Sequence, residues 1–193
     1  MPPKSHSVIH IRRAVNVLRR GGIIAYPTEG VWGLGCDPFD RQAVEGVLAL
    51  KARPVHKGLI LVGASISQFS GLVAHLSDAQ RQRLLASSDH PITWLVPNRG
   101  FAPAWITGQH SSVAIRISQH PVVIALCEKF GAPLVSTSAN PQGRKSATSE
   151  LQVRRYFQGK LNYIVPGQTE AARSGRASEI RDLVTGVTIR AGS

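Results

Sequence analysis

The sequence predicts a mixed α/β chain. Segments of helical periodicity alternate with short apolar runs of strand length, which sets helices against a sheet. Strands and helices interleave along most of the chain, with adjacent strands appearing only late in it, which makes the order mixed α/β. The length of 193 residues, 42% of them hydrophobic and 18% charged, suits one globular domain, so residues 1–193 are expected to form a single unit.

The elements follow in order. Val8 to Arg20 reads as an amphipathic helix: Ile11, Ala14, Val15 and Leu18 share one face, and Gly21-Gly22 stop it. IIAYPT is a buried strand running into a proline loop. Arg41 to Leu50 returns to helical spacing through Ala43, Val44, Val47 and Leu48, and Leu59 to Val62 is strand-like. Ser77-Asp78-Ala79-Gln80 offers a capping box for a helix carrying Leu84 and Leu85. In SVAIRIS, Val113, Ile115 and Ile117 alternate with Ala114 and Arg116. Pro121 to Phe130 is a helix ended by Gly131, and PLVSTS is a buried strand entering a polar loop. Ser149 to Phe157 is a further helix, with strands around Tyr163 to Val165 and Val187 to Arg190.

Charge is the unusual bulk property. Twenty-three Lys and Arg against eleven Asp and Glu give +12, which favours polyanionic partners such as nucleic acid or nucleotide phosphates. The basic residues are scattered, with doublets such as Arg12-Arg13 and Arg154-Arg155, so no disordered basic arm is expected. No apolar run has the length of a membrane span, and MPPKSHSVIH lacks the apolar core of a secretory signal; a cytoplasmic protein is expected. Cys36 and Cys127 read as reduced thiols. The seven histidines show no close metal-ligand spacing, so no protein-held metal is expected.

Three stretches are polar where a bland fold has no need of it. Lys51-Ala52-Arg53-Pro54-Val55-His56-Lys57-Gly58 places three cations within seven residues between a helix and a strand, where Arg can fork onto phosphate oxygens and Lys adds point charge. The same loop can also be read as complementing a helix dipole. Ser136-Thr137-Ser138-Ala139-Asn140 sets hydroxyls and an amide at a strand end, a common ligand position; it can equally be a turn satisfying its own backbone. Tyr26-Pro27-Thr28-Glu29-Gly30 follows a buried run with Thr28 and Glu29 at its exit, and it too can be a plain turn. Neither GxxxxGK[ST] nor GxSxG occurs, so a P-loop cradle and a nucleophile elbow are absent from the sequence.

Taken together, PTEGVWGLGCD, KARPVHKGLIL, SVAIRISQHP, PLVSTSANPQG and SEIRDL closely resemble, in order and spacing, the YrdC/TsaC family of threonylcarbamoyl-AMP synthases in its short form. The resemblance runs from about residue 8 to 192. It implies a twisted mixed sheet flanked by helices with a concave basic cavity. It implies too that L-threonine, bicarbonate and ATP become threonylcarbamoyl-adenylate and pyrophosphate, for the threonylcarbamoyladenosine modification of tRNA. Magnesium would arrive with ATP, bound mainly by phosphates, and the product would pass to a tRNA-modifying transferase complex. The family signature K-x-R plus S-x-N falls on Lys51, Arg53, Ser138 and Asn140.

From that resemblance, Lys51 and Arg53 are expected to be catalytic, screening the repulsion between two anionic substrates. ATP is expected on Arg53, Lys57, Thr93, Ser138, Asn140, Ser146 and Arg190, and L-threonine on Thr28, Arg116, Ser136 and Ser178. Relatives commonly carry Gly-Pro ahead of Thr93, where this chain has Ser88-Asp89-His90-Pro91. Gln168 to Ala177 is the candidate segment for closing the site. A non-catalytic RNA-binding or ribosome-assembly module is the alternative. Charge favours it, whereas 6% aromatic content and the lack of RRM-like or KH-like motifs do not.

Overall fold

The computed structural model describes residues 5–86, 88, 90–169 and 178–191. The chain runs α1 (Ser5–Leu18), β1 (Ile24–Pro27), β2 (Trp32–Gly35), α2 (Arg41–Lys51), β3 (Ile60–Gly63), α3 (Ser70–Val73), α4 (Asp78–Leu85) and β4 (Ile92–Pro97). It continues with α5 (Ala104–Thr107), β5 (Ser112–Ile117), α6 (Pro121–Phe130), β6 (Leu134–Ser138), α7 (Glu150–Phe157), β7 (Tyr163–Ile164), β8 (Glu179–Asp182) and β9 (Thr188–Arg190). The strands make one mixed sheet in the order β7-β1-β2-β6-β3-β5-β4-β8-β9. β1–β7, β3–β5 and β4–β8 are parallel, and the other neighbours antiparallel.

Most expected elements form where the sequence puts them, because their ends are capped. Asp40 accepts from Ala43 N at the start of α2, and Ser77 with Gln80 closes a capping box on α4. Pro121 opens α6, and Gly131, at φ 90°, ends it. Two strands were not legible. Trp32–Gly35 contains two glycines and reads as a turn; it becomes β2 only because β1 and β6 both pair with it. A Cβ at Gly35 would lie 2.6 Å from Val135 O, so glycine permits that close pairing. Glu179–Asp182, polar in sequence, is held as β8 between β4 and β9.

Strand alternation decides where the sheet is covered. Leu61, Val113, Ile115, Val135, Trp94 and Val96 point to one face, where they pack with Val44, Val47 and Leu48 of α2 and with Phe69, Leu72 and Ile106. Ile24, Tyr26, Val62 and Leu134 point to the other face, under Val15 and Leu18 of α1 and Val123 and Leu126 of α6. A third cluster seats Phe157 and Val153 of α7 against Ala25, Trp32 and Leu34. On the face that carries α1 and α6, those helices reach only part of the sheet. The uncovered remainder, with Ile60, Ala114, Arg116, Ser136 and Ser138, becomes the floor of a cavity.

Candidate active site

The cavity encloses about 350 Å³, within the usual size range of ligand pockets. Its lining holds Arg53, Lys57, Arg116, Arg190 and His110, and among the described lining residues there is no carboxylate. Register brings the parts together. Gly33 sits opposite Ser138, Ile60 pairs with both Ser136 and Ala114, and Val62 pairs with Arg116. The three polar stretches of the sequence thus meet at the ends of adjacent strands.

The end of α2 sends two cations in different directions. Ala52 takes the left-handed conformation, φ 49°, and its N–H with that of Arg53 closes onto Ala49 O and Leu48 O. Lys51 turns inward and is only 5% exposed. Its Nζ donates to Ser138 O, to Asn140 O at 2.9 Å and to Asn140 Oδ1 at 3.2 Å. An ammonium has three protons, and here each has an acceptor. Burial first, then the charge of Arg53, pushes its pKa down to about 8.

Arg53 turns to the cavity. Its Nε and Nη2 donate to Gly58 O at 3.2 and 2.8 Å, which curls the loop around the guanidinium. Gly58 (φ 63°) lies so near the α5 backbone that a Cβ would meet Thr107 O at 2.9 Å. Burial and then the charge of Arg190 lower the pKa of Arg53, the signature of two guanidiniums sharing a space that suits an anion.

Asn140 is wholly engaged in the loop. Its Oδ1 accepts from Lys51 and from Ser138 Oγ at 2.6 Å, while Nδ2 donates to Pro141 O at 3.2 Å and Arg144 O at 2.7 Å. Neither Lys51 nor Asn140 lines the cavity; they brace the strand end that presents Ser138 to it.

Thr28 lines the cavity, with its hydroxyl donated to Val31 O at 2.6 Å, and Ser136 lines it from the floor, 5% exposed. At the far side, Ser178 lines it and exchanges a 2.8 Å hydrogen bond with fully buried Thr93, while Arg190 Nη2 donates to Ser178 O. Ser146 is half-buried and stands outside the lining. Of the closing-segment candidate, only Gln168 and Thr169 are described; residues 170–177 lie outside the described residues.

Sequence reasoning singled out Glu29 at a strand exit but gave it no role, and it passed over His110 and Thr107. Glu29 sits behind Arg116, and its Oε1 accepts from Ser118 Oγ and the N–H groups of Gln119 and His120. The only sequence signal was a lone acid in a polar strand exit. Thr107, at the end of the single-turn α5, and His110, in the turn between α5 and β5, enter the lining from a stretch with no periodicity to read.

A mixed sheet opening a cation-lined cavity beside hydroxyl-rich strand ends defines an α/β protein whose cavity is suited to an anion. The chain belongs to the Sua5/YciO/YrdC family, whose model, described as telomere recombination, matches residues 16–192. It is 53% identical over 180 residues to the threonylcarbamoyl-AMP synthase of Cellvibrio japonicus, covering 93% of this chain and 94% of that protein. It is 52% identical over 177 residues to the synthase of the same name from Pseudomonas aeruginosa, with 92% and 94% covered. Among solved structures, P. abyssi Sua5 complexed with L-threonine is similar at 32% identity and a TM-score of 0.83. That match covers 94% of this chain and 54% of the longer one, so this chain spans about half that protein. E. coli YciO shares the fold, with a TM-score of 0.77 at 23% identity.

Proposed function

We propose that this protein condenses L-threonine, bicarbonate and ATP into threonylcarbamoyl-adenylate, releasing pyrophosphate, for threonylcarbamoyladenosine formation in tRNA. Near full-length identity of about half to relatives named threonylcarbamoyl-AMP synthase supports the reading. The observation that carries the chemistry is a cavity lined by four Lys and Arg side chains without a carboxylate among the described residues.

The neutral amine of threonine attacks the carbon of bicarbonate, water leaves, and a carbamate forms. A carbamate oxygen then attacks the α-phosphorus of ATP and expels pyrophosphate. Both reactants are anions, so the main obstacle is charge repulsion, which cations lower in a poorly solvated cavity. Arg53, Lys57 and Arg190 take the phosphates, and Ser138 lies beside them. Arg116 takes the threonine carboxylate, with Thr28, Ser136 and Ser178 around the amino acid. Lys51 and Asn140 act through the loop they brace, and Thr93 through Ser178. Ser146 has the weakest support, since it lies off the cavity lining.

No protein nucleophile is required, because the substrate supplies it. The lining offers oxygen donors only from hydroxyls and backbone, which suits a magnesium ion that travels with the triphosphate more than one held by the protein. The adenylate is a reactive mixed anhydride, which calls for a transferase that accepts it promptly. Among the described residues no helix is long and apolar enough to cross a membrane, in keeping with action on tRNA in the cytoplasm.

The test is incubation with ATP, bicarbonate and L-threonine, with detection of the adenylate and pyrophosphate. Both are expected, and leaving out threonine should remove both. Salt-dependent RNA binding with no threonine-dependent ATP cleavage would overturn the reading in favour of a binding module.

A further inference from the structure

Behind the cavity floor lies an unusual pair. Glu29 and Arg116 are both deeply buried, with side chains 12% and 10% exposed. Their closest approach, Arg116 Nη2 to Glu29 Oε2, is 3.8 Å, about an ångström beyond a charge-assisted hydrogen bond. Glu29 Oε2 and Arg116 Nε are the two buried side-chain polar atoms without a hydrogen-bond partner among the described residues. A buried polar atom left unpaired is costly, and here the carboxylate and the guanidinium of one ion pair each carry such an atom. The other oxygen of Glu29 is saturated: Oε1 takes Ser118 Oγ and the N–H groups of Gln119 (3.1 Å) and His120 (3.3 Å). Those bonds fasten the carboxylate to the turn that leaves β5 and enters α6. Glu29 is therefore the fixed partner, whereas Arg116, which lines the cavity and whose only side-chain polar contact among the described residues is this long one, is the partner free to shift.

We infer that Glu29 is a positioning residue for the amino-acid substrate. Anchored through Oε1, it holds Oε2 as a fixed acceptor that sets the rotation of the Arg116 guanidinium, so that the remaining N–H groups meet a ligand carboxylate as a fork. Glu29 does not line the cavity and touches no substrate. It also supplies local compensation for Arg116, so this cation can stay buried in a cavity that Arg53 and Lys57 also line. Burial alone raises the pKa of Glu29, but the charge of Arg116 and the bond from Ser118 outweigh it, and the carboxyl is held below its ordinary range. The group is thus ionised at neutral pH.

This inference rests on the proposed threonine site, and the experiment separates the two. Binding of L-threonine and of L-threoninol, which lacks the carboxylate, is measured by calorimetry on wild type and on Glu29→Gln. The amide keeps an oxygen for the 118–120 turn but sets an N–H₂ against the guanidinium, donor against donor. The preference for threonine over threoninol should fall by about tenfold, the worth of one charged hydrogen bond, while threoninol affinity stays within about twofold. Equal weakening of both ligands would mean a merely structural role and would overturn the inference. Failure of wild type to bind threonine would instead sink the proposed function. Should Glu29→Gln not fold, Glu29→Asp keeps the charge, shortens the reach by one methylene and should shift the same ratio in the same direction; an unchanged ratio there overturns the inference as well.

Discussion

The two walls of the cavity spend their polar groups differently. On the wall built from the end of α2 and the loop after β6, Lys51 and Asn140 have every donor and acceptor engaged within the protein. On the wall built from β5 and the loop after β1, Glu29 and Arg116 each keep a buried atom unpaired. The polar groups of the first wall are satisfied within the protein and those of the second are not. Cation count alone cannot assign roles, because one buried Lys serves as a brace while one buried Arg keeps bonding capacity in reserve.

The sharpest way to break this contrast is to remove the brace. Lys51→Ala leaves Ser138 O, Asn140 O and Asn140 Oδ1 facing a gap, for a stability loss of about 2–4 kcal/mol by chemical denaturation. It should also cut threonine-dependent pyrophosphate release about a hundredfold, as Ser138 and the loop drift from register. A folded Lys51→Ala protein with wild-type turnover would show that the first wall is no scaffold.

The second prediction concerns pH, at the same tenfold level as Glu29→Gln. With a folded pKa of about 8, Lys51 loses a proton as pH rises through that value, and one oxygen loses its donor. The ratio of wild-type turnover to that of Lys51→Arg, which stays protonated, should fall roughly tenfold by about pH 9. Stability moves the other way. The folded pKa lies below the unfolded one, so between about 8 and 10.5 the unfolded chain binds more protons and this group's contribution rises with pH. A ratio flat with pH would show that the brace works without its third proton.

The smallest effect is expected between the walls. Thr93→Val removes the 2.8 Å bond to Ser178 and should cost about 1 kcal/mol, or some 2–4 °C in Tm, with threonine affinity changed less than about threefold. A larger loss of affinity would move Thr93 from support into the threonine wall itself.

Much of the fold was legible because its signals are local. Capping residues and i, i+3, i+4 patterns gave α2, α4, α6 and α7 within a residue or two. What was lost was of two kinds: strands such as β2 that pair despite their composition, and single turns such as α5 that are too short to carry a period. The cavity was legible in part. The K-x-R and S-x-N motifs marked Arg53 and Ser138, which line it, and equally Lys51 and Asn140, which lie behind it.

By itself the sequence determined an α/β fold, an excess of cations and three polar stretches at strand ends, because helical period, strand alternation and turn chemistry act over a few residues. The tertiary structure alone decided which cation faces the cavity and which braces a loop. Lys51 finds its acceptors 87 and 89 positions away, and Glu29 meets Arg116 only once β1 and β5 share a sheet. The charge of a side chain is local, but what that charge is paired with depends on register, and register is a property of the whole sheet.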